Sequence, residues 1–109
     1  MNLELQVQER ENESTVFLQG EVDVYTASTL KESLLPLTEK QDEKVVVDLS
    51  EVDYIDSTGL GIFIGALKST DKHGSSLKLV GLNDRVSRLF DITGLNEVMD
   101  IEEGKREEA

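Results

Sequence analysis

The chain has no cysteine, no tryptophan, one proline and one histidine among its 109 residues. Without thiols there is no disulfide framework, no thiolate metal site and no cysteine redox chemistry. With His73 as the single imidazole, any site that needs two is excluded. No apolar run approaches the roughly 18 residues of a membrane span, and Met1-Asn2-Leu3-Glu4 does not resemble a signal peptide, so a cytosolic location is expected. Positive charge is also scarce: 11 Lys and Arg stand against 23 Asp and Glu, a net charge of −12. The imbalance is concentrated in residues 1–56, which hold 14 acids and four bases. No basic cluster exists to neutralise phosphates, which disfavours nucleic acid and anionic membranes as direct partners. A protein with a basic docking surface fits better, although solubility alone explains the acidity equally well.

What is present is enough for one domain. At 38% hydrophobic and 31% charged, the chain can bury a core and is not expected to be disordered. The domain is expected over residues 1–101; residues 102–109 lack an apolar anchor and are expected to fray. Leu3, Leu5 and Val7 alternate with polar residues, and Thr15–Gln19 resumes the alternation after a turn at Glu11-Asn12-Glu13, which predicts a hairpin. Gly20 is expected to mark a bulge or a close backbone approach. Thr26 is placed to cap a helix with Leu30, Leu34 and Leu37 on one face, and Pro36 should kink it or end its regular part. Lys44–Leu49 reads as a central strand covered on both faces.

A short acidic loop then leads to a helix from Ser57, with Leu60, Phe63, Ile64 and Leu67 on its apolar side and Gly74 just past its end. Leu77–Val80 is the next strand. Asn83 caps a third helix with the stripe Val86, Leu89, Phe90 and Thr93, closed by Gly94, and Val98–Ile101 adds a last strand. The order β-β-α-β-α-β-α-β implies an α/β fold, its sheet mostly parallel with an antiparallel first strand.

The sharpest local feature is Tyr54-Ile55-Asp56-Ser57-Thr58-Gly59-Leu60-Gly61. Asp, Ser or Thr at a helix start is ordinarily a cap for orphan backbone donors. One hydroxyl suffices for that, yet two stand here, followed by Gly59 and Gly61, which cost roughly 1 kcal/mol each relative to Ala. Glycines in a first helical turn make sense where another molecule approaches the backbone closely; tight packing on the sheet suits Gly65 better. A serine here accepts a phosphate at modest cost. With Asp56 adjacent and Asp23 and Asp53 at the same end of the sheet, roughly −1.5 to −2 further charges would make an off switch for docking without a change of fold.

Other chemistries fit less well. Gly59-x-Gly61-x-x-x-Gly65 has the wrong final spacing for a dinucleotide loop, and no Gly-x-x-x-x-Gly-Lys-Ser/Thr loop exists. Ser57 is not in a Gly-x-Ser-x-Gly elbow, and His73 lies at the far end of the same helix, roughly 24 Å away, which excludes a Ser-His dyad. Asp48, Asp53 and Asp56 make only a weak hard-cation pattern, so neither metal nor cofactor is expected. A phospho-aspartate receiver is disfavoured because the first strand ends in Glu9-Arg10 and Lys78 falls within its strand.

Three segments, Gly20–Ala27, Tyr54–Gly61 and Leu89–Leu95, resemble in sequence, order and spacing the STAS-domain family, specifically the small bacterial anti-sigma factor antagonists. The likeness covers roughly residues 3–101, and Asp56-Ser57-Thr58-Gly59-Leu60-Gly61 matches the family's phosphorylation motif. The resemblance implies a STAS-type small sandwich with a sheet of about five strands. It implies a regulator rather than an enzyme. The unphosphorylated form would bind an anti-sigma factor that is also a serine kinase, freeing a sigma-B-type stress sigma factor. The kinase would inactivate it with ATP, and a PP2C-type phosphatase would restore it. Carried onto this chain, Ser57 is the expected phosphoacceptor, and Asp23, Asp56, Ser57, Thr58, Gly59 and Leu60 are the expected partner-binding residues. The alternative is a STAS scaffold that does not switch, with Ser57 only a helix cap.

Overall fold

Apolar alternation at the start of the chain closes into a hairpin. In the computed structural model, which describes residues 2–103, β1 (Leu3–Arg10) pairs antiparallel with β2 (Glu13–Val22), setting Leu5 opposite Leu18 and Val7 opposite Val16. Asn12 makes the tight reversal with a φ of 65°, a left-handed conformation that asparagine tolerates. Three crossovers follow: α1 (Ala27–Thr38) leads to β3 (Lys44–Ile55), α2 (Ser57–His73) to β4 (Ser76–Leu82), and α3 (Asp84–Ile92) with a 3-10 turn (Leu95–Glu97) to β5 (Asp100–Glu103). Strands β2 to β5 are parallel, and the sheet order β1-β2-β3-β4-β5 follows the chain.

That sequential order decides where the core lies. Crossovers of one hand that always step to the next strand in the same direction lay every helix on the same face of the sheet. Leu30 and Leu34 of α1, Phe63 and Ala66 of α2, and Val86 and Phe90 of α3 accordingly share one cluster with Val16, Val45, Val47 and Leu79. The rings of Phe63 and Phe90 lie 6.4 Å apart, tilted by 54°. The other face has no helix among the described residues. Strand β3 is therefore not covered on both faces: Val45, Val47 and Leu49 are buried, while Val46 and Asp48 between them are half-buried. Val46 owes its partial cover to its neighbours Thr15 and Lys78 in the register, not to a second layer.

Several local expectations shift in detail. Pro36 stands in the last turn of α1, and the helix runs on through the buried Leu37 and Thr38, whose hydroxyl donates to Leu35 O at 2.6 Å. Gly20 has a φ of 123°, and a Cβ there would lie 2.2 Å from Asn2 O, so it marks both a bulge and a close approach. Asn83 caps α3 by accepting Val86 N–H at 2.8 Å, while its amide donates to Val52 O at 3.1 Å. Thr93 is exposed rather than part of the core stripe, its hydroxyl donating to Leu89 O at 2.9 Å. Strand β5 starts at Asp100 rather than Val98 and includes Glu102 and Glu103; the remainder of the expected tail lies outside the described residues. No helix among the described residues is long and apolar enough to cross a membrane.

One-sided burial makes the two faces unequal in energy. Phe63→Ala, at a fully buried position, should cost about 3–5 kcal/mol in urea unfolding, and Phe17→Ala on the open face less than half of that. Equal losses would contradict the single-layer arrangement.

Candidate functional site

The parallel strands β2 and β3 finish side by side, with Val22 opposite Ile55. The next amide, Asp56 N–H, donates to Val22 O at 3.1 Å and locks the two strand ends together. No acidic loop intervenes as expected: β3 continues to Ile55, because Val52 and Ile55 still point into the core, and Asp56 alone separates strand from helix. Asp53 is an exposed strand residue.

Asp56 is the N-cap of α2. Its backbone is extended (φ −101°, ψ −175°) and its carboxylate accepts Gly59 N–H at 3.0 Å. Since the cap function is filled by this carboxylate, neither hydroxyl that follows is needed for it. Ser57 and Thr58 are both exposed, and neither makes a side-chain hydrogen bond among the described residues.

Asp23 lies beneath this rim, only 4% exposed. Its Oδ1 accepts Tyr25 N–H at 2.9 Å and Thr26 N–H at 3.1 Å, an Asx turn that leads β2 into α1. Thr26 stands at the start of α1 as expected but makes no side-chain cap. Its hydroxyl instead accepts Asp23 N–H at 2.9 Å and donates to Glu21 O at 2.8 Å, stapling the loop. The bond from Asp56 to Val22 brings this turn beside the mouth of α2.

The glycines divide differently from expectation. A Cβ on Gly59 would lie 2.7 Å from Val22 Cγ1 and 2.8 Å from Val22 O, so Gly59 is the residue that lets α2 press against the end of β2. Gly61 and Gly65 have open space where a Cβ would stand. With Ser57 they fall at i, i+4 and i+8 on one exposed side of the helix. Of the expected contact residues, Ser57 and Thr58 thus lie at the surface, Asp56 is half-buried, and Asp23, Gly59 and Leu60 are buried supports below.

Apolar residues around the rim were not singled out from the sequence. Val24 is 62% exposed, Tyr25 77% and Tyr54 45%, all at the same end of the sheet as Ser57. Beside Tyr54, a shallow cavity of about 190 Å³ is lined by Ile55, Arg85, Val86 and Leu89. Their signal was a negative one: Val24, Tyr25 and Tyr54 fit none of the core stripes. His73 Nδ1 donates to Ser69 O at 2.9 Å at the opposite end of α2. Among the described residues no three acidic, imidazole or thiol side chains gather as a metal site, and Asp48 Oδ1 instead accepts Ser50 N–H at 2.9 Å.

Comparison with known proteins adds four findings. The STAS domain family model matches residues 4–108. The chain is 48% identical over 101 residues to the anti-sigma-B factor antagonist of Bacillus subtilis, covering 93% of this chain and 92% of that protein. It is 45% identical over 102 residues to the anti-sigma-B factor antagonist of Listeria monocytogenes, covering 93% and 90%. Among solved structures, an anti-sigma factor antagonist from Mycobacterium paratuberculosis superposes with a TM-score of 0.82 at 24% identity, covering 93% and 86%, a likeness of fold alone.

The two helix-mouth glycines should respond oppositely to the same substitution. Gly59→Ala should destabilise the chain by about 1–3 kcal/mol, since Val22 O cannot move aside, whereas Gly61→Ala should stabilise it by up to about 1 kcal/mol. Thermal and urea unfolding of both variants measures this, and a stabilised Gly59→Ala would overturn the assignment of the packing glycine.

Proposed function

The chain belongs to the STAS-domain family, and from that premise we propose how it works as an anti-sigma factor antagonist: by partner switching controlled at Ser57. The observation that carries the reading is the Ser57 hydroxyl, exposed and without a hydrogen bond among the described residues while Asp56 caps the helix. In the unphosphorylated form the rim around Ser57 docks on an anti-sigma factor that is also a serine kinase, and the sigma factor, of the sigma-B stress type, is released. The kinase transfers the γ-phosphoryl group of ATP to Ser57 Oγ. A phosphoester forms, ADP leaves, and the hydroxyl proton passes to a base of the kinase. A PP2C-type phosphatase hydrolyses the ester and returns the docking form.

The physical account needs no refolding. Tyr25, Val24 and Tyr54 offer the kind of exposed aromatic and apolar anchors that carry binding energy, and Gly61 lets a partner approach the helix backbone. The chain's negative charge steers a basic partner toward the rim and speeds encounter. A phosphate adds about −1.5 to −2 charges at the centre of that contact, beside Asp56. The Gly59 N–H is already bonded to Asp56 and is not free to receive it. A thousandfold loss of affinity requires about 4 kcal/mol, which a buried unpaired phosphate meets.

Incubation with the anti-sigma kinase and Mg-ATP should add one phosphate to the intact mass of the wild-type chain and none to Ser57→Ala. Label retained on Thr58 in that variant would refute the acceptor assignment, and no gain in the wild type would leave a non-switching scaffold. Ser57→Asp should weaken binding to the kinase in calorimetry by about tenfold or more, and undiminished affinity would count against charge as the switch.

A further inference from the structure

Among the described residues the sheet has two free edges, and they are guarded unequally. Strand β5 is only four residues long and carries the acids Asp100 and Glu102, of which Lys78 pairs Glu102 at 2.9 Å, so a second copy alongside would find a short edge with an unpaired carboxylate at its start. Strand β1 is eight residues long and pairs on one side only, with β2. Its centre, Leu5-Gln6-Val7-Gln8, carries no charge, and neither proline nor lysine interrupts it. Val7 is 39% exposed. Glu4 stands on one side of this stretch and Arg10 on the other, and neither makes an ion pair among the described residues.

We infer that β1 is a self-association edge, which pairs antiparallel with β1 of a second copy in a register centred on Val7. That register sets Glu4 of each copy opposite Arg10 of the other, Gln6 opposite Gln8, and Val7 opposite its own counterpart. Side-chain parity is preserved. On the helix side, where Leu5 and Val7 face Leu18 and Val16, Val7 meets Val7 and Leu5 of each copy meets Glu9 of the other, whose carboxylate is held outward by Lys40 of its own chain at 3.2 Å, while Glu4, Gln6, Gln8 and Arg10 meet on the open side. Shifting the centre to Gln6 sets Glu4 against Gln8, and shifting it to Gln8 sets Arg10 against Gln6, so both charge pairs are lost. A slip of one residue would oppose the two faces. The new ladder hydrogen bonds and the Val7 contact supply the attraction, and the two ion pairs select the register. The net charge of −12 on each copy opposes association but is screened beyond about 8 Å at physiological salt, which makes the pairing reversible rather than permanent. The twofold axis through β1 sends the two Ser57 ends in opposite directions, so the inference stands apart from the switch.

Sedimentation velocity on the full chain, up to about 1 mM, tests the inference. The wild type should form a dimer as concentration rises. Glu4→Arg alone and Arg10→Glu alone should each weaken dimerisation about tenfold, because each sets like charges in opposition. An equimolar mixture of the two variants should restore it, because each then meets the opposite charge at both corners. A wild type that stays monomeric, single variants that dimerise normally, or a mixture no better than its components would overturn it.

Discussion

The proposed switch depends on how one carboxylate is used. Helix α2 begins directly from a strand, and its first turn has backbone donors that need an acceptor. Asp56 supplies it through Gly59 N–H, while its own amide ties β3 to β2 through Val22 O. Had the cap fallen to Ser57, phosphorylation would compete with helix stability, by about 0.5–2 kcal/mol for a lost cap. With the cap one residue earlier, the hydroxyl can be esterified at little cost to the fold. The helix mouth is then held in place by the cap and its hydroxyl is chemically available, which is what the proposed docking and phosphorylation require.

The rest of the architecture serves that placement. Parallel strands joined by helices of one hand end together, and their sequential order gathers α1, α2 and α3 on one face. Val22, Asp23, Ile55 and Asp56 therefore converge at one end of the sheet, and Gly59 allows the helix to press close enough for Asp56 to reach both partners. Among the described residues the same economy leaves the opposite face and the β1 edge without cover, and the inferred pairing with a second copy uses that edge.

Much of this was legible from residue patterns. The stripe Leu60-Phe63-Ile64-Leu67, with Gly74 beyond it, located α2 from Ser57 to His73, and Asn83 marked the cap of α3. Burial on both faces of β3 was inferred from Val45-Val46-Val47, but a run of β-branched residues reads alike whether its second face lies under a helix or between neighbouring strands. The roles of Gly59 and Gly65 were exchanged because spacing along a helix does not say which side meets the sheet; only the position of Val22 O does. Thr26 was read as a side-chain cap, but its hydroxyl is committed across the loop to Glu21 O and Asp23 N–H, contacts that local spacing does not reveal. Val24, Tyr25 and Tyr54 lie within the segments that carry the resemblance but were not among the expected contact residues, since an exposed apolar or aromatic side chain looks in sequence like a buried one.

The central claim is that a phosphate on Ser57 changes the surface and not the fold. Amide spectra of the unmodified and fully phosphorylated chain, recorded together with calorimetric titration of each against the anti-sigma kinase, test it most directly. The account predicts shifts confined to the mouth of α2 and the neighbouring Asp23 turn, with affinity lower by about a thousandfold, or about 4 kcal/mol. Widespread shifts through β4 and α3, or equal affinity of the two forms, would contradict it.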